Sequence, residues 1–176
     1  VQKLEDMKGL LLRNNGGSTA VWYESMGAVP VDVGYLEMYD ALQRGIIDGA
    51  FTNPTVLSPT TGISLHEVVK YVVEPASLPI YLTPTWISMK TWEKLPEDLQ
   101  QIILEVAAEA QQKTIETEPA YNEKLFDEVR GLVTFIQLPE EEQRRFFESA
   151  QVAWDHFASI NDRTARIVEL LRELKP

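Results

Sequence analysis

The fold is decided by GLLLRNNGG at residues 9–17, an apolar run that ends in Arg13 and opens into a polar loop. A short apolar run bounded by turn residues predicts a buried strand, with Arg13 at its carboxyl end. A second polar break, DGAFTNP at residues 48–54, closes another short apolar run and contains Asn53. If both runs are parallel strands of one sheet, their carboxyl ends meet at one edge, where open α/β sheets bind ligands.

Arg13 and Asn53 suit the recognition of a small anion at such an edge. The planar guanidinium of an arginine donates two parallel hydrogen bonds to a carboxylate and stays charged at any working pH. The amide of Asn53 adds a neutral polar contact. An arginine at a strand end is also commonly a surface cation or a salt-bridge partner, and the spacing alone leaves that alternative open.

The first half of the chain alternates short apolar runs with helical patterns, which indicates βαβ units and a largely parallel sheet. Strands are predicted at residues 9–13, 29–33, 46–51 and 69–73. Ser18 is expected to cap a helix that ends at Gly27, and a second helix at residues 36–44 is closed by Gly45. The apolar side of the first helix includes Ala20, Val21 and Met26.

The second half is predicted to contain strands at residues 82–89 and 132–138 and three helices. The first helix begins after Pro96 and has one packed apolar face, formed by Leu99, Ile102, Ile103, Val106, Ala107 and Ala110. Pro119 is expected to kink or divide it, because proline lacks a backbone donor. A further helix is predicted from Pro139, and the residues expected to face the core are Phe146, Phe147, Ala150, Trp154 and Phe157. The last helix carries Ile167, Val168, Leu171 and Leu174.

Composition excludes several classes of function. With 16 basic and 27 acidic residues the formal net charge is −11, a field that repels nucleic acids and anionic membranes. The absence of cysteine excludes disulfides, thiolate metal sites and a cysteine nucleophile. The first residues, VQKLE, show neither Met nor a signal-peptide pattern, so we expect a processed product or a fragment.

Other residues that could carry chemistry have simpler interpretations. His66 and His156 lie in no acid–base or metal-ligand spacing. Gly16 and Gly17 lack the lysine and third glycine of a phosphate-binding loop. The acidic run at residues 140–142 starts a helix, where we interpret it as a solvated cap that favours the helix dipole. Core positions are expected for Trp22, Trp86 and Trp92.

Four blocks of the sequence resemble one known family. They are Arg13 after its apolar strand, MGAVPV at residues 26–31, EMYDALQRGIIDG at residues 37–49 and WEKLPEDLQ at residues 92–100. In order and spacing these blocks resemble the periplasmic solute-binding subunit of tripartite ATP-independent periplasmic (TRAP) transporters, of the DctP type. The resemblance extends from about Leu4 to the middle of the long helix, and the block at residues 37–49 is fairly specific.

The resemblance implies a two-lobed fold that closes on an organic acid. The expected fold class is α/β, a lobe like those of type II periplasmic binding proteins, with a parallel-rich sheet, a long kinked helix and C-terminal helices. The first lobe is expected to be largely missing from the chain. Residues 1–76 would form the second ligand-binding lobe, and residues 77–117 would complete the first lobe and hinge, including the start of the long helix. Residues 118–176 would form a helical C-terminal return.

The resemblance also implies the site residues. Arg13 would hold the substrate carboxylate, Tyr35 would line the cleft, and Asn53 would contact the same ligand. Asn14 and Asn15, in the loop after the arginine, would add polar contacts.

The implied function is an extracytoplasmic subunit that captures a small organic acid in the periplasm and delivers it to the membrane permease, without catalysis. Family members that place a metal beside the ligand carry an acid just before the position of Asn53. This chain has Thr52 there, so we expect no metal beside the ligand. No cofactor is expected either. An enzyme or sensor domain of the same fold that acts on a small carboxylate stays open, as does a helical interaction module. Without the first lobe the long helix lacks cover, so self-association of the fragment is expected.

Overall fold

Arg13 lies on the central strand of a three-stranded parallel sheet. The computed structural model describes residues 1–14, 16–60, 62–74 and 85–173. In spatial order the sheet consists of β2 (Val29–Asp32), β1 (Leu11–Asn14) and β3 (Gly49–Ala50). Arg13 is in register with Val31 on one side and Ala50 on the other. The first three predicted strands are confirmed, although β3 is much shorter than residues 46–51.

Asp48 joins β3 to the start of β1. Its backbone N–H donates to the Leu11 carbonyl at 2.7 Å, and its carboxylate accepts from the Leu11 N–H at 2.8 Å. These two bonds fix the register one residue before β3 begins. The Asp48-Gly49 dipeptide therefore aligns the sheet that carries Arg13.

Two short helices connect these strands, as predicted. Helices α1 (Ser18–Ser25) and α2 (Met38–Gln43) are followed by Gly27 at φ +77° and Gly45 at φ +69°, a conformation that glycine adopts without steric cost. The cap expected from Ser18 is wrong. Ser18 is itself the first residue of α1, and its hydroxyl lies 3.2 Å from Nδ1 of His156 on a C-terminal helix.

The remaining described elements include a second sheet. In chain order the strands and α-helices among them are β4 (Tyr71–Glu74), α3 (Met89–Trp92), α4 (Glu97–Val129), β5 (Thr134–Gln137), α5 (Glu140–Ser149), α6 (Gln151–Ala158) and α7 (Asp162–Glu173). Strands β4 and β5 pair in parallel and form a two-stranded sheet separate from the first. Their positions confirm the strands predicted at residues 69–73 and 132–138.

The strand predicted at residues 82–89 is wrong in its described part. Residues 85–88 belong to no helix or strand, and Met89 begins α3. Ser88 starts this helix, because its hydroxyl accepts from the Thr91 N–H at 3.2 Å. Residues 82–84 lie outside the described residues.

The C-terminal helices complete the core against α1. The indole N–H of Trp22 donates to the Ser149 hydroxyl at 2.8 Å. One hydrophobic cluster includes Leu12, Trp22, Tyr23, Phe146, Ala150 and Ala153. The single helix predicted from Pro139 is divided at Ala150, and this break turns Ala153 inward. The inward positions predicted for Phe147 and Phe157 are therefore wrong, since both side chains are exposed.

Helix α4 is continuous through Pro119, and the side chains that it buries among the described residues lie at its C-terminal end. At 1.5 Å per residue its 33 residues extend about 50 Å, and Leu125 and Val129 are its buried side chains. Val129 joins a second hydrophobic cluster with Met38, Ile47, Val56, Leu57 and Leu65. Of the kink or division expected at Pro119, the division is wrong, because α4 runs without a break from Glu97 to Val129. No helix within the described ranges is long and apolar enough to cross a membrane.

The apolar face predicted to be packed near the start of α4 is exposed. Its members Leu99, Ile102, Ile103 and Val106 are 40–57% accessible. Trp86, expected in the core, is 85% exposed, whereas Trp22 is buried as predicted. This face begins near the start of α4, far from the buried Leu125 and Val129 at its other end.

An ion-pair cluster fastens the N-terminal residues to α5. Arg145 bonds both Glu5 and Glu142, and the Glu142 carboxylate also accepts from the Leu4 N–H at 2.8 Å. The solvated cap expected at residues 140–142 is therefore wrong for Glu142, which is largely buried by these contacts. The hydrogen bond from Arg145 lowers the pKa of Glu5 to about 2.

We predict that Glu5 makes unfolding acid-dependent. The pKa of Glu5 lies below its ordinary value in the folded chain, so the unfolded chain binds the extra proton. The stabilisation is complete above about pH 4.5 and is lost as the pH falls towards 2. Urea unfolding at pH 7, 4.5 and 3 should show a smaller acid-induced loss in Glu5→Gln than in wild type. Equal loss in Glu5→Gln and in the exposed control Glu24→Gln would contradict this.

We also predict that the 176-residue chain, made alone, self-associates through α4. Each square ångström of apolar surface left in water costs roughly 25 cal/mol, so covering this face favours association. Light scattering should report a dimer or larger species, and the double substitution Ile102→Glu with Val106→Glu should shift it towards monomer. Gln111→Glu adds charge on the same helix and serves as control. A wild-type monomer that binds no hydrophobic dye would disprove the prediction.

Candidate functional site

Arg13 and Tyr35 come together at the carboxyl edge of the first sheet. Arg13 is partly buried, and its Nε donates to the Val33 carbonyl at 3.0 Å. The guanidinium carbon lies 6.0 Å from the centroid of the Tyr35 ring, within the range of a cation–π contact. Tyr35 begins a 3₁₀ turn, Tyr35–Glu37, and the residue is 42% exposed. The pair therefore presents a cation and an aromatic surface beside each other.

Asn53 follows β3 at the same edge. It caps a 3₁₀ turn, Pro54–Leu57, and its side-chain oxygen accepts from the Thr55 N–H at 3.1 Å and from the Thr55 hydroxyl. Two donors on that oxygen assign the amide orientation, because the NH₂ end could not accept them. The side chain of Asn53 is thus fixed with its donor end turned away from Thr55.

Asn14 links two loops of the edge. Its side-chain NH₂ donates to Asp32 at 2.7 Å, and its side-chain oxygen accepts from the Gly16 N–H at 2.9 Å. Both ends of the amide therefore have protein partners, which connect the loop after β1 to the end of β2. Asn15 lies outside the described residues.

Tyr23 is a neighbour of the site that the sequence patterns did not indicate. The residue is 1% exposed, and among the described residues its hydroxyl has no hydrogen-bond partner at normal geometry. Burial raises the pKa of Tyr23 to about 12, and the Phe51 N–H and the charge of Arg13 partly offset this rise. The phenol is therefore a neutral group held beside Arg13 and the residue that follows β3.

The apolar side predicted for the first helix is partly confirmed. Met26, just after α1, is buried in the core, whereas Ala20 and Val21 are half-buried and the buried residues within the helix are Trp22 and Tyr23. Two adjacent aromatics can both be buried only where a helix is covered on two sides. Here the sheet covers one side of α1 and the C-terminal helices cover another. The adjacent aromatics Trp22 and Tyr23 were the sequence feature that could have predicted burial of α1 on two sides.

These features define a class of protein. A parallel α/β layer with an arginine, an amide and an aromatic ring at its carboxyl edge is typical of a lobe that binds a small solute. The chain belongs to the DctP family, described as bacterial extracellular solute-binding protein, family 7, whose model matches residues 1–160. The resemblance carried by the four sequence blocks is confirmed.

Two relatives illustrate the range of sequence similarity. An uncharacterized protein of Haemophilus influenzae is 30% identical over 99% of this chain and 53% of its own length. The ectoine-binding periplasmic protein TeaA of Halomonas elongata is 28% identical over 87% of this chain and 44% of its own length. The chain thus spans about half the length of the relatives it matches.

Solved structures confirm the fold class. A TRAP periplasmic solute-binding protein from Rhodoferax ferrireducens with bound malonate has a TM-score of 0.79 at 22% identity, and the match covers 98% of this chain and 55% of that one. The ectoine-binding protein of Halomonas elongata has a TM-score of 0.77 at 22% identity, covering 96% and 55%.

We predict that Tyr23→Phe leaves the free energy of unfolding unchanged or raises it by up to about 1 kcal/mol. The substitution removes a buried hydroxyl that has no well-formed bond and keeps the ring in place. Trp22→Phe provides the contrast: it loses the bond to Ser149 and leaves a void, at a cost of about 1–3 kcal/mol. Urea unfolding measures both. A loss above about 1 kcal/mol in Tyr23→Phe would show that the hydroxyl makes a stabilising bond.

Proposed function

We propose that the full-length protein captures a small organic acid by its carboxylate in the periplasm and delivers it to the membrane permease of a TRAP transporter. The observation that carries this proposal is the fixed guanidinium of Arg13 at the carboxyl edge of the sheet, where Asn53 follows β3. Membership of a solute-binding family supports it.

Arg13 provides the charge. Its backbone is held by in-register pairing on both sides, and the bond from Nε to Val33 sets the plane of the guanidinium. The two Nη groups form the end of that plane, a geometry that matches the two oxygens of a carboxylate. We therefore assign the carboxylate to this end of Arg13.

Asn53 narrows the ligand chemistry. Because its oxygen is engaged by Thr55, the group it offers is an N–H donor. A donor pairs with a carboxylate or carbonyl oxygen and not with the proton of a hydroxyl. Asn53 and Arg13 would then both donate to acceptors on the ligand.

Tyr35 provides a surface for the body of the ligand. Its exposed ring lies under the guanidinium, so an organic group whose carboxylate reaches Arg13 would pass over the ring. Asn14 would shape the loop beside the ligand through its bonds to Asp32 and Gly16. Asn15 remains a proposed contact on the resemblance alone.

The ligands named for structural neighbours support a carboxylate. Solved relatives of this fold are described with bound malonate, succinate and L-malate, which are all carboxylates. These relatives are described as solute-binding proteins, and we propose the same non-catalytic role here. Thr52 occupies the position before Asn53, so we propose direct contact with the ligand without a bridging metal.

The organisation into segments is part of this proposal. Residues 1–76 would be the second lobe, residues 77–117 would complete the first lobe and hinge, and residues 118–176 would be the C-terminal return. The exposed face of α4 would then lie against the rest of the first lobe.

We predict that the full-length protein binds one of the acids in a thermal-shift screen of malonate, succinate, L-malate, orotate and D-galacturonate. Calorimetry with the acid that gives the largest shift should show a loss of about 1–3 kcal/mol in Arg13→Lys, which keeps the charge and loses the fork. Arg13→Ala should lose at least as much. The control Arg44→Lys changes an exposed arginine at the end of α2 and should leave affinity unchanged. Unchanged affinity in Arg13→Ala would refute the assignment.

A further inference from the structure

The sheet does not hold Asn53 directly. Strand β3 has two residues, and its last pairing joins Ala50 to Arg13. Asn53 follows three residues later and caps the 3₁₀ turn Pro54–Leu57. Its position therefore depends on what holds that turn.

The turn is held against the C-terminal end of α4. Val56 is fully buried, Leu57 is 9% exposed, and both share a hydrophobic cluster with Val129 of α4. This packing is apolar and non-directional, so it sets the depth of the turn more than its orientation.

Directional contacts come from Ser58, Thr60 and Glu128. The Ser58 hydroxyl, which is fully buried, donates to the Glu128 carboxylate at 2.6 Å, and the Thr60 hydroxyl donates to the same oxygen at 3.1 Å. The Thr60 N–H donates to the Ser58 hydroxyl at 3.1 Å. One carboxylate oxygen thus accepts hydrogen bonds from both hydroxyls that follow the turn.

The carboxylate of Glu128 occupies an unusual place for a negative charge. It lies in the last turn of a 33-residue helix, where the helix dipole disfavours an anion. The hydrogen bond from Ser58, then that from Thr60, and the nearby charge of Lys124 nevertheless lower the pKa of Glu128. The charged form is therefore stabilised by the turn that it holds.

We propose that Glu128 is a positioning residue of the ligand site: through Ser58 and Thr60 it orients the turn that Asn53 caps, and so connects the end of α4 to the ligand. This inference rests on the proposed function, in which Asn53 contacts the ligand. Glu128 itself makes no contact with ligand in this arrangement.

A mutant cycle on the full-length protein tests the connection. The probe is whichever of malonate, succinate or L-malate gives the largest shift in the thermal-shift screen. Glu128→Ala and Ser58→Ala should each raise Kd about tenfold, the size expected for an indirect coupling. Glu128→Gln keeps an acceptor oxygen and should therefore retain most of the wild-type affinity. Glu123→Gln, an exposed acid on the same helix, should change nothing.

Repeating Glu128→Ala in the Asn53→Ala variant distinguishes a positioning role of Glu128 from a general effect on stability. In Asn53→Ala, the further change Glu128→Ala should leave Kd within about twofold, because the group that it orients is gone. An equal loss of affinity with and without Asn53 would overturn the proposal, as would an unchanged Kd in Glu128→Ala.

Amide hydrogen exchange gives a reading that needs no ligand. The Thr55 N–H donates to the Asn53 side chain, so Glu128→Ala should speed exchange at Thr55. Ala28, whose N–H donates to the Tyr23 carbonyl at the end of α1, should keep its rate. Unchanged exchange at Thr55 would overturn the positioning role. If none of the acids binds, the proposed function fails, and the exchange rate at Thr55 still decides whether Glu128 orients the turn.

Discussion

Every proposed ligand contact depends on the parallel pairing of β1 with a strand on each side. Parallel strands turn their carboxyl ends to one edge, so the residues that follow β1, β2 and β3 collect there. Pairing with Val31 and Ala50 fixes the backbone of Arg13, and the bond to Val33 fixes its side chain. The guanidinium is therefore ordered before a ligand arrives, which lowers the entropy cost of binding.

Hydrogen-bonded polar side chains hold the loops at that edge. Asn14 connects the loop after β1 to Asp32, and Asn53 closes the turn after β3. Ser58 continues this chain of contacts to Glu128 on α4. Each of these side chains supplies a hydrogen-bond partner for a polar group that would otherwise have none after folding. Loops without sheet pairing therefore still have a defined shape. The carboxyl edge of the sheet and the long helix are thereby joined by polar contacts as well as by packing.

The sequence predicted the strand ends well and the long-range contacts poorly. The strand end at Arg13 and the helix end at Gly45 depend on local conformational preferences. Both could therefore be predicted from a few neighbouring residues. Tyr23 and Glu128 acquire their surroundings only when distant segments meet, and Glu128 resembles the many other acids of α4. Helical periodicity found the apolar face of α4 but does not say what covers it. The ligand roles of Arg13, Tyr35 and Asn53 stay predictions.

The most direct test is a crystal structure of the full-length protein with the best-binding acid from the screen. We predict that the ligand carboxylate lies within about 3 Å of the Nη groups of Arg13 and that Nδ2 of Asn53 donates to an oxygen of the same ligand. The Tyr35 ring should contact the body of the acid. A carboxylate held by other residues, with Arg13 out of hydrogen-bond reach, would contradict the central claim.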